Sequence, residues 1–385
     1  MSLELINGAA TESANADAGE FFAGTTAPRR FRISEALQDK AQAFLESLFA
    51  GRADRREIRE AFTTADFTLA VFAAIDTKTL DSYDALPAKW REYTDVMTVP
   101  DFRPTRLLRK WFETVGLKLV PELTEYPTAG ASGHAVDWIS VAKYGLRDAF
   151  SWEAWINNTA IDEIQNAPQK YANAAAETET INALANLLNI DPATNTASGF
   201  NTGFFKSANG NAPDTRKLNA DNLDDVLDAL VQKVPADKKR LVVPPDFQVV
   251  IPKALERQMQ RILNLREIRV TEGSQQKVYD NYLKTVDYTV EPMLDAILTS
   301  NRATSWFVVP KPGSRRPASF AAFLRGYEAP DLRYKANAGQ RIGGGEISPL
   351  EGSFEIDDIQ TRVRHIVGHQ PGDPTFTYAS DGSAS

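Results

Sequence analysis

The sequence holds no cysteine. That excludes a disulfide framework, a thiolate-bound metal and a cysteine nucleophile. Histidine is nearly as scarce, with three copies: His134, His365 and His369. His365 and His369 read as two partly exposed strand side chains, and no acid stands near them at ligand spacing. No metal and no cofactor is therefore expected. No apolar run approaches the ~18 residues that span a bilayer. Met1-Ser2-Leu3-Glu4-Leu5 lacks the basic-then-apolar pattern of a secretory leader. The expectation is a soluble protein, made and used in a cytoplasm-like setting without membrane contact. Surplus positive charge is also missing, since the formal net charge is −8. That argues against a main surface built to grip phosphate.

What is present is an ordinary globular composition, 43% hydrophobic and 24% charged over 385 residues. Such a chain has room for two or three domains and a sizeable core. The organising stretch is 168–189. Its apolar residues Tyr171, Ala174, Ala175, Ile181, Leu184, Leu187 and Leu188 mark one helical face. Pro168 suits the first helical position and Asn166 a cap, giving a spine helix roughly 33 Å long at ~1.5 Å per residue.

Around this spine the chain reads as an α+β protein. Residues 1–30 are poor in large apolar groups and read as an extended arm, either loose or lying along a partner. Charged helical stretches follow at 34–50 and 52–60, then an apolar helix or strand at 65–74, with helix continuing over 77–90. Residues 117–120 and 136–141 have strand composition and predict a long hairpin with a turn-rich tip at 121–133. Ser151 reads as the cap of a short helix carrying Trp152 and Trp155. Residues 191–214 form a loop pinned by Phe200, Phe204 and Phe205. Asn219 caps a helix whose face is Leu223, Val226, Leu227, Leu230 and Val231. Residues 241–243 predict a short buried strand, followed by a helix to about Leu263 that Pro252 kinks or splits. Val286, Tyr288 and Val290 alternate as in a strand, and 306–309 form another. Long strands return at 331–336 and 354–367, with a bulge near Asp357-Asp358 to explain a phase switch. The tail from Gln370 reads as loose.

Catalytic signals are weak. Gly130-Ala131-Ser132-Gly133-His134 approaches the nucleophile elbow of serine hydrolases, but the final glycine is missing and no buried strand directly precedes it. Gly343-Gly344-Gly345 lacks the Lys-Ser/Thr of a phosphate loop and the spaced glycines of a dinucleotide fold. No carboxylate pair is singled out by an apolar setting. So long a chain without a catalytic candidate points to a structural protein or a binder, not an enzyme. A long hairpin also leaves backbone edges unpaired, and gains burial only on its own domain or on a neighbour.

The order of parts carries a resemblance. Lys143-Tyr144-Gly145-Leu146 and Ser151-Trp152-Glu153-Ala154-Trp155-Ile156-Asn157-Asn158 resemble the run into the spine helix of phage major head subunits. Trp306-Phe307-Val308-Val309, then Phe323-Leu324-Arg325-Gly326, resembles the end of that family's A domain. Ser353-Phe354-Glu355-Ile356-Asp357-Asp358 through Arg362-Val363-Arg364-His365 resembles its C-terminal P-domain strand. Over roughly 95–370 the chain is similar to the major capsid proteins of tailed bacteriophages, which share the Hong Kong 97-type shell fold.

The resemblance implies an N-terminal arm at 1–95, a lead-in to the P domain at 96–114 and an E-loop at 115–147. It further implies P-domain segments at 148–190 and 329–370, an A domain at 191–328 and a C-terminal tail at 371–385. Lys118, Tyr126, Pro127, Thr128, Trp138, Arg29, Arg30, Arg341 and Gly344 become the expected contacts between subunits. The expected protein is a homo-oligomer of hexamers and pentamers in an icosahedral virion shell, assembled in the host cytoplasm. It would enclose double-stranded DNA without sequence-specific binding. Scaffolding protein, portal and decoration protein are the partners implied by the family. Some members weld subunits through an E-loop lysine and an asparagine. Here Lys118 and Lys143 are possible donors, but 353–358 offers no asparagine, so a non-covalent shell is expected. The alternatives are an encapsulin-like cellular nanocompartment, a soluble hydrolase using Ser132 and a monomeric binding protein.

Overall fold

The computed structural model describes residues 65–110, 119–126, 134–151, 161–233, 244–272, 275–335 and 356–384, together with residues 40, 43, 153 and 342. In chain order, α1 (Ala65–Asp84) and a 3-10 turn (Lys89–Glu92) lead to β1 (Asp95–Val99), β2 (Thr105–Lys110), β3 (His134–Ile139), β4 (Ala142–Ser151) and the spine helix α2 (Ile161–Leu184). A lobe follows: β5 (Leu188–Asp191), β6 (Thr196–Phe200), α3 (Ala220–Val231), β7 (Phe247–Ile251), α4 (Glu256–Asn264), β8 (Glu267–Glu272), β9 (Gln275–Asp280), β10 (Asp287–Val290), α5 (Met293–Ile297) and β11 (Trp306–Pro310). The chain returns through β12 (Ser319–Leu324), β13 (Asp331–Tyr334), β14 (Asp358–Pro371) and β15 (Tyr378–Ser380).

Two sheets organise these parts. In the first, β14 pairs antiparallel with β4 along one edge and with β13 and then β12 along the other, while β1 adds parallel to β12. Strand alternation then gives β14 two faces. Val363, His365 and Val367 turn toward α2, and Ile366 turns away into a core with Val99, Leu107, Ile139, Val141, Ala322 and Leu324. Gly368 lets the chain cross closely there, because a Cβ on it would sit 2.0 Å from the Ser140 carbonyl oxygen. The second sheet has the order β10-β7-β11-β15. One face (Val249, Ile251, Trp306, Val308) packs on Leu223, Val226 and Leu230 of α3 and Met259 and Ile262 of α4. Its other face (Val250, Phe307, Val309, Ala379) joins Leu184, Leu187 and Leu188 at the end of the spine, with Phe204, Phe205, Phe323 and Val367. One continuous core therefore ties both sheets to α2.

Several sequence expectations hold. The Asn219 side chain accepts from the Asn222 N–H at 2.7 Å and caps α3. Of the face assigned to that helix, Leu223, Val226 and Leu230 are buried, Leu227 packs at the margin and Val231 stays exposed. Phe204 and Phe205 do pin the 191–214 region, although β5 and β6 make part of it a hairpin. The 306–309 strand is buried throughout.

Others are corrected. The spine begins at Ile161, so Pro168 is inside the helix and Asn166 is not its cap. Proline there forfeits one hydrogen bond, and burial of Ala167 and Tyr171 against Val363 and Leu332 offsets the loss. Leu187 and Leu188 are buried as expected, but they lie beyond the helix, and Leu188 opens β5. The hairpin's first strand is Thr105–Lys110, paired with His134–Ile139, while Leu119 and Val120 are not strand. Ser151 ends β4 opposite Asp358, and of the helix it is expected to cap only residue 153, which is helical, is among the described residues. Residues 247–251, assigned to a helix, are a strand buried on both faces, which erases the period-2 signal. The phase switch near Asp357 is a left-handed residue, φ 48°, that precedes β14 and is not a bulge. Strand β12, near the end of the 191–328 segment, pairs with β14 in the first sheet. Finally, the tail is not loose. Phe376 is buried and β15 pairs with β11, with Asp381 N–H donating to the Asp214 carbonyl at 3.0 Å. The expected strand at 241–243, Trp152, Trp155 and the arm at 1–64 other than residues 40 and 43 lie outside the described residues.

The tail thus clamps the lobe. Phe376→Ala should cost about 3–5 kcal/mol of subunit stability, read as a lowered denaturation midpoint. An unchanged midpoint would sink this account of the tail.

Candidate assembly site

Glu179 and Asn182 lie three residues apart on the stripe of α2 that faces the sheet, and Asn186 follows in the turn just past its end; all three are buried. Burying them requires partners. The side chain of Glu179 is 2% exposed and its Oε1 lies 2.8 Å from Nε2 of His365, itself 3% exposed. The same oxygen accepts the Tyr83 hydroxyl from α1. Burial, with the Glu179 carboxylate beside it, pushes the Tyr83 hydroxyl far above its usual pKa, so it stays protonated and donates. His365 Nδ1 is buried and has no hydrogen-bond partner among the described residues.

One turn on, Asn182 Nδ2 donates to the Thr178 carbonyl at 2.8 Å, which fixes the amide and leaves Oδ1 as the acceptor. That oxygen receives Tyr144 Oη at 3.0 Å and His369 Nδ1 at 2.9 Å. His369 must therefore carry its proton on Nδ1. Burial lowers its pKa, which keeps the ring neutral. Asn186 Nδ2 donates to Ser319 Oγ at 2.6 Å and to the Phe320 carbonyl at 3.1 Å, and Ser319 meets Thr94 at 3.0 Å. The two histidines expected to be partly exposed are thus a buried and a mostly buried member of the joint between α2 and β14. No sequence period announces this, because polar residues on a helix normally mark its solvent face.

This network holds structure and assembles no nucleophile with a base. Among the described residues no cluster of histidine and acid side chains could hold a metal. Ser132 lies outside the described residues, and so do Lys118, Pro127, Thr128, Arg29, Arg30, Arg341 and Gly344. Tyr126 and Trp138 are described, 81% and 56% exposed. Leu119 and Leu123 near Tyr126 are 94% and 105% exposed. Trp138 sits on β3 opposite Arg106 of β2. Large apolar side chains left bare on a hairpin and its loop mark a surface for association.

The fold and this surface define a structural subunit that associates with other chains. Residues 136–380 match the family model described as phage capsid protein. The chain belongs to the phage capsid protein family, and it is a shell-forming, non-enzymatic subunit of a virion. Solved structures from Gordonia phage Cozz are similar at 13% identity, covering 74% of this chain and 84% of that one, with a TM-score of 0.41. The capsid of an empty GTA particle shares 14% identity over 76% of this chain and 89% of its own, with a TM-score of 0.40. A virus-like particle from Pyrococcus furiosus shares 11% over 80% and 98%, with a TM-score of 0.38. No curated protein matches the chain in sequence.

A mostly buried His369 with a lowered pKa has a defined pH consequence. The unfolded state binds the proton more readily, so this residue's contribution is present above about pH 6.5 and is lost as pH falls through that value toward the folded pKa. The stability difference between wild type and His369→Gln should therefore shrink on acidification from pH 7.5 to 5. Thermal melts of dissociated subunits would read it, and a difference independent of pH would contradict the assignment.

Proposed function

We propose that this subunit builds an icosahedral shell of the Hong Kong 97 type around the double-stranded DNA of a tailed phage. In this reading the hairpin region at 115–147 is an E-loop laid on an adjacent subunit, and the strands found here extend its base back to Thr105. Residues 148–190 and 329–370 form the P domain, 191–328 the A domain that gathers at the centres of hexamers and pentamers, and 1–95 an arm whose end packs on its own spine through Tyr83, Trp90 and Tyr93 while the part before α1 reaches neighbours. Residues 371–385 pack with the A domain. A scaffolding protein, a portal and a decoration protein are its partners, and assembly takes place in the host cytoplasm. The observation that carries the reading is the bare apolar side of the hairpin and its loop, where Leu119, Leu123, Tyr126 and Trp138 are exposed and suit cover by another chain.

Light scattering and negative-stain microscopy of the purified protein, with any co-expressed scaffold, test this directly. Closed shells or hexamer- and pentamer-sized rings are expected, and a 42.5 kDa monomer under every condition would remove the reading. Trp138→Asp should abolish particles while leaving the subunit's melting temperature within ~2 °C, since the side chain is half exposed. Particles formed at wild-type yield would exclude Trp138 from the contacts.

The shell should also be non-covalent. The stretch 353–358, near the start of the P-domain strand, offers no acceptor asparagine. Mature particles boiled in detergent should run as a single band at the monomer mass, and a ladder of linked subunits would overturn this.

A further inference from the structure

The sheet face turned away from α2 carries an unusual row of charge. Arg362 of β14 lies directly opposite Arg147 on β4 and Arg333 on β13, and directly opposed residues share a face. Three guanidinium groups thus cross three neighbouring strands, spanning roughly 10 Å at ~4.8 Å per strand. Lys143, four residues from Arg147, extends the row along β4. All four side chains are exposed. The acids on this face are already engaged. Asp331 pairs with Arg333 at 2.9 Å and Arg364 at 2.5 Å. Asp358 is buried and bonded to Gln360. Among the described residues Arg147, Arg362 and Lys143 have no ion-pair partner. Like charges directly opposed weaken a sheet, and a chain of net charge −8 has acids to spare for neutralising them. A row left in this state fits an incoming anion.

The same chain presents a matching one. In the segment Pro121-Glu122-Leu123-Thr124-Glu125-Tyr126, both carboxylates are exposed and neither bonds to any described residue. Thr124 closes the turn, its N–H and hydroxyl donating to the Pro121 carbonyl at 3.3 and 2.7 Å, while Leu123 sits at φ 62° with its side chain bare. A preformed turn with two acids and two apolar side chains loses little entropy on docking. Arginine pairs with carboxylate through two parallel hydrogen bonds, which fixes orientation as well as attraction. Nucleic acid is the poorer occupant, because the chain as a whole carries a net charge of −8.

We propose that Glu122 and Glu125 of one subunit dock on the Arg147–Arg362–Arg333 row of an adjacent copy, with Leu123 and Tyr126 covered by the contact. This rests on the shell-subunit reading above.

Charge exchange in the full-length chain, co-expressed with any scaffold, tests it. Glu122→Arg with Glu125→Arg, and separately Arg147→Glu with Arg362→Glu, should each lower particle yield at least about tenfold. Combining all four substitutions should restore yield to within about threefold of wild type. Neutral Arg147→Gln with Arg362→Gln should fall between, and melting temperatures of the dissociated subunits should stay unchanged throughout. Failure of the four-fold variant to recover, with every subunit folded, would overturn the pairing while wild-type shells kept the shell reading intact. Normal shells from the Arg→Glu variant would overturn it too, and a loss of packaged nucleic acid in those shells would give the row to DNA instead. Absence of wild-type particles would remove both readings.

Discussion

A carboxylate sealed between a helix and a sheet sets the terms for the rest of this structure. Glu179 cannot be left alone at that depth, because an unpaired buried charge costs several kcal/mol. It is satisfied only when α1 brings Tyr83, α2 brings Glu179 and β14 brings His365 to one point. Asn182 and Asn186 repeat the demand one and two turns along, calling on β4, β14 and β12. Apolar packing would tolerate a helix sliding along the sheet. A ladder of specific hydrogen bonds does not, so the polar stripe fixes the register of α2 on β14.

Once that register is set, β14 distributes the chain. Its three partner strands arrive from two distant parts of the sequence, β4 before the spine and β12 and β13 after the lobe. Its spine-facing side feeds the common core, and its other side ends in a cationic row left open to solvent. The lobe is held at the far end of α2 by Leu184, Leu187 and Leu188, and it is closed by the tail strand beside β11. A rigid joint between spine and sheet suits a shell subunit. Contacts in a shell are modest and repeated by symmetry, so each subunit must present them in a fixed relation for the lattice to close.

What another chain must cover follows from the same economy. The β2–β3 hairpin buries one side of its base, Leu107 and Ile139, against β1, β12 and β14. Trp138, adjacent to Ile139 and pointing the other way, is more than half exposed. Alternation along a strand makes both statements inevitable once the hairpin is docked. Membership of the phage capsid protein family gives the reason such a surface survives selection for solubility.

The sequence alone determined the class: an α+β chain with a spine helix, a projecting hairpin, a lobe and returning strands, with no assembled catalytic signature. Those features were legible because they rest on local rules. Helical periodicity over Tyr171 to Leu184, the Asn219 cap and the unbroken apolar run at Trp306 are all signals within a few residues. The tertiary structure decided what depends on partners far along the chain. Helix α2 tolerates Pro168 because Val363 and Leu332 bury its neighbours. Residues 247–251 are a strand because both their faces are covered. Thr105–Lys110, not 117–120, opens the hairpin because that is where the partner strand offers its register. The tail folds because β11 presents a free edge to it, and His365 is buried because Glu179 waits across from it. Each of these is a long-range satisfaction of a local cost, and no window of sequence contains both halves.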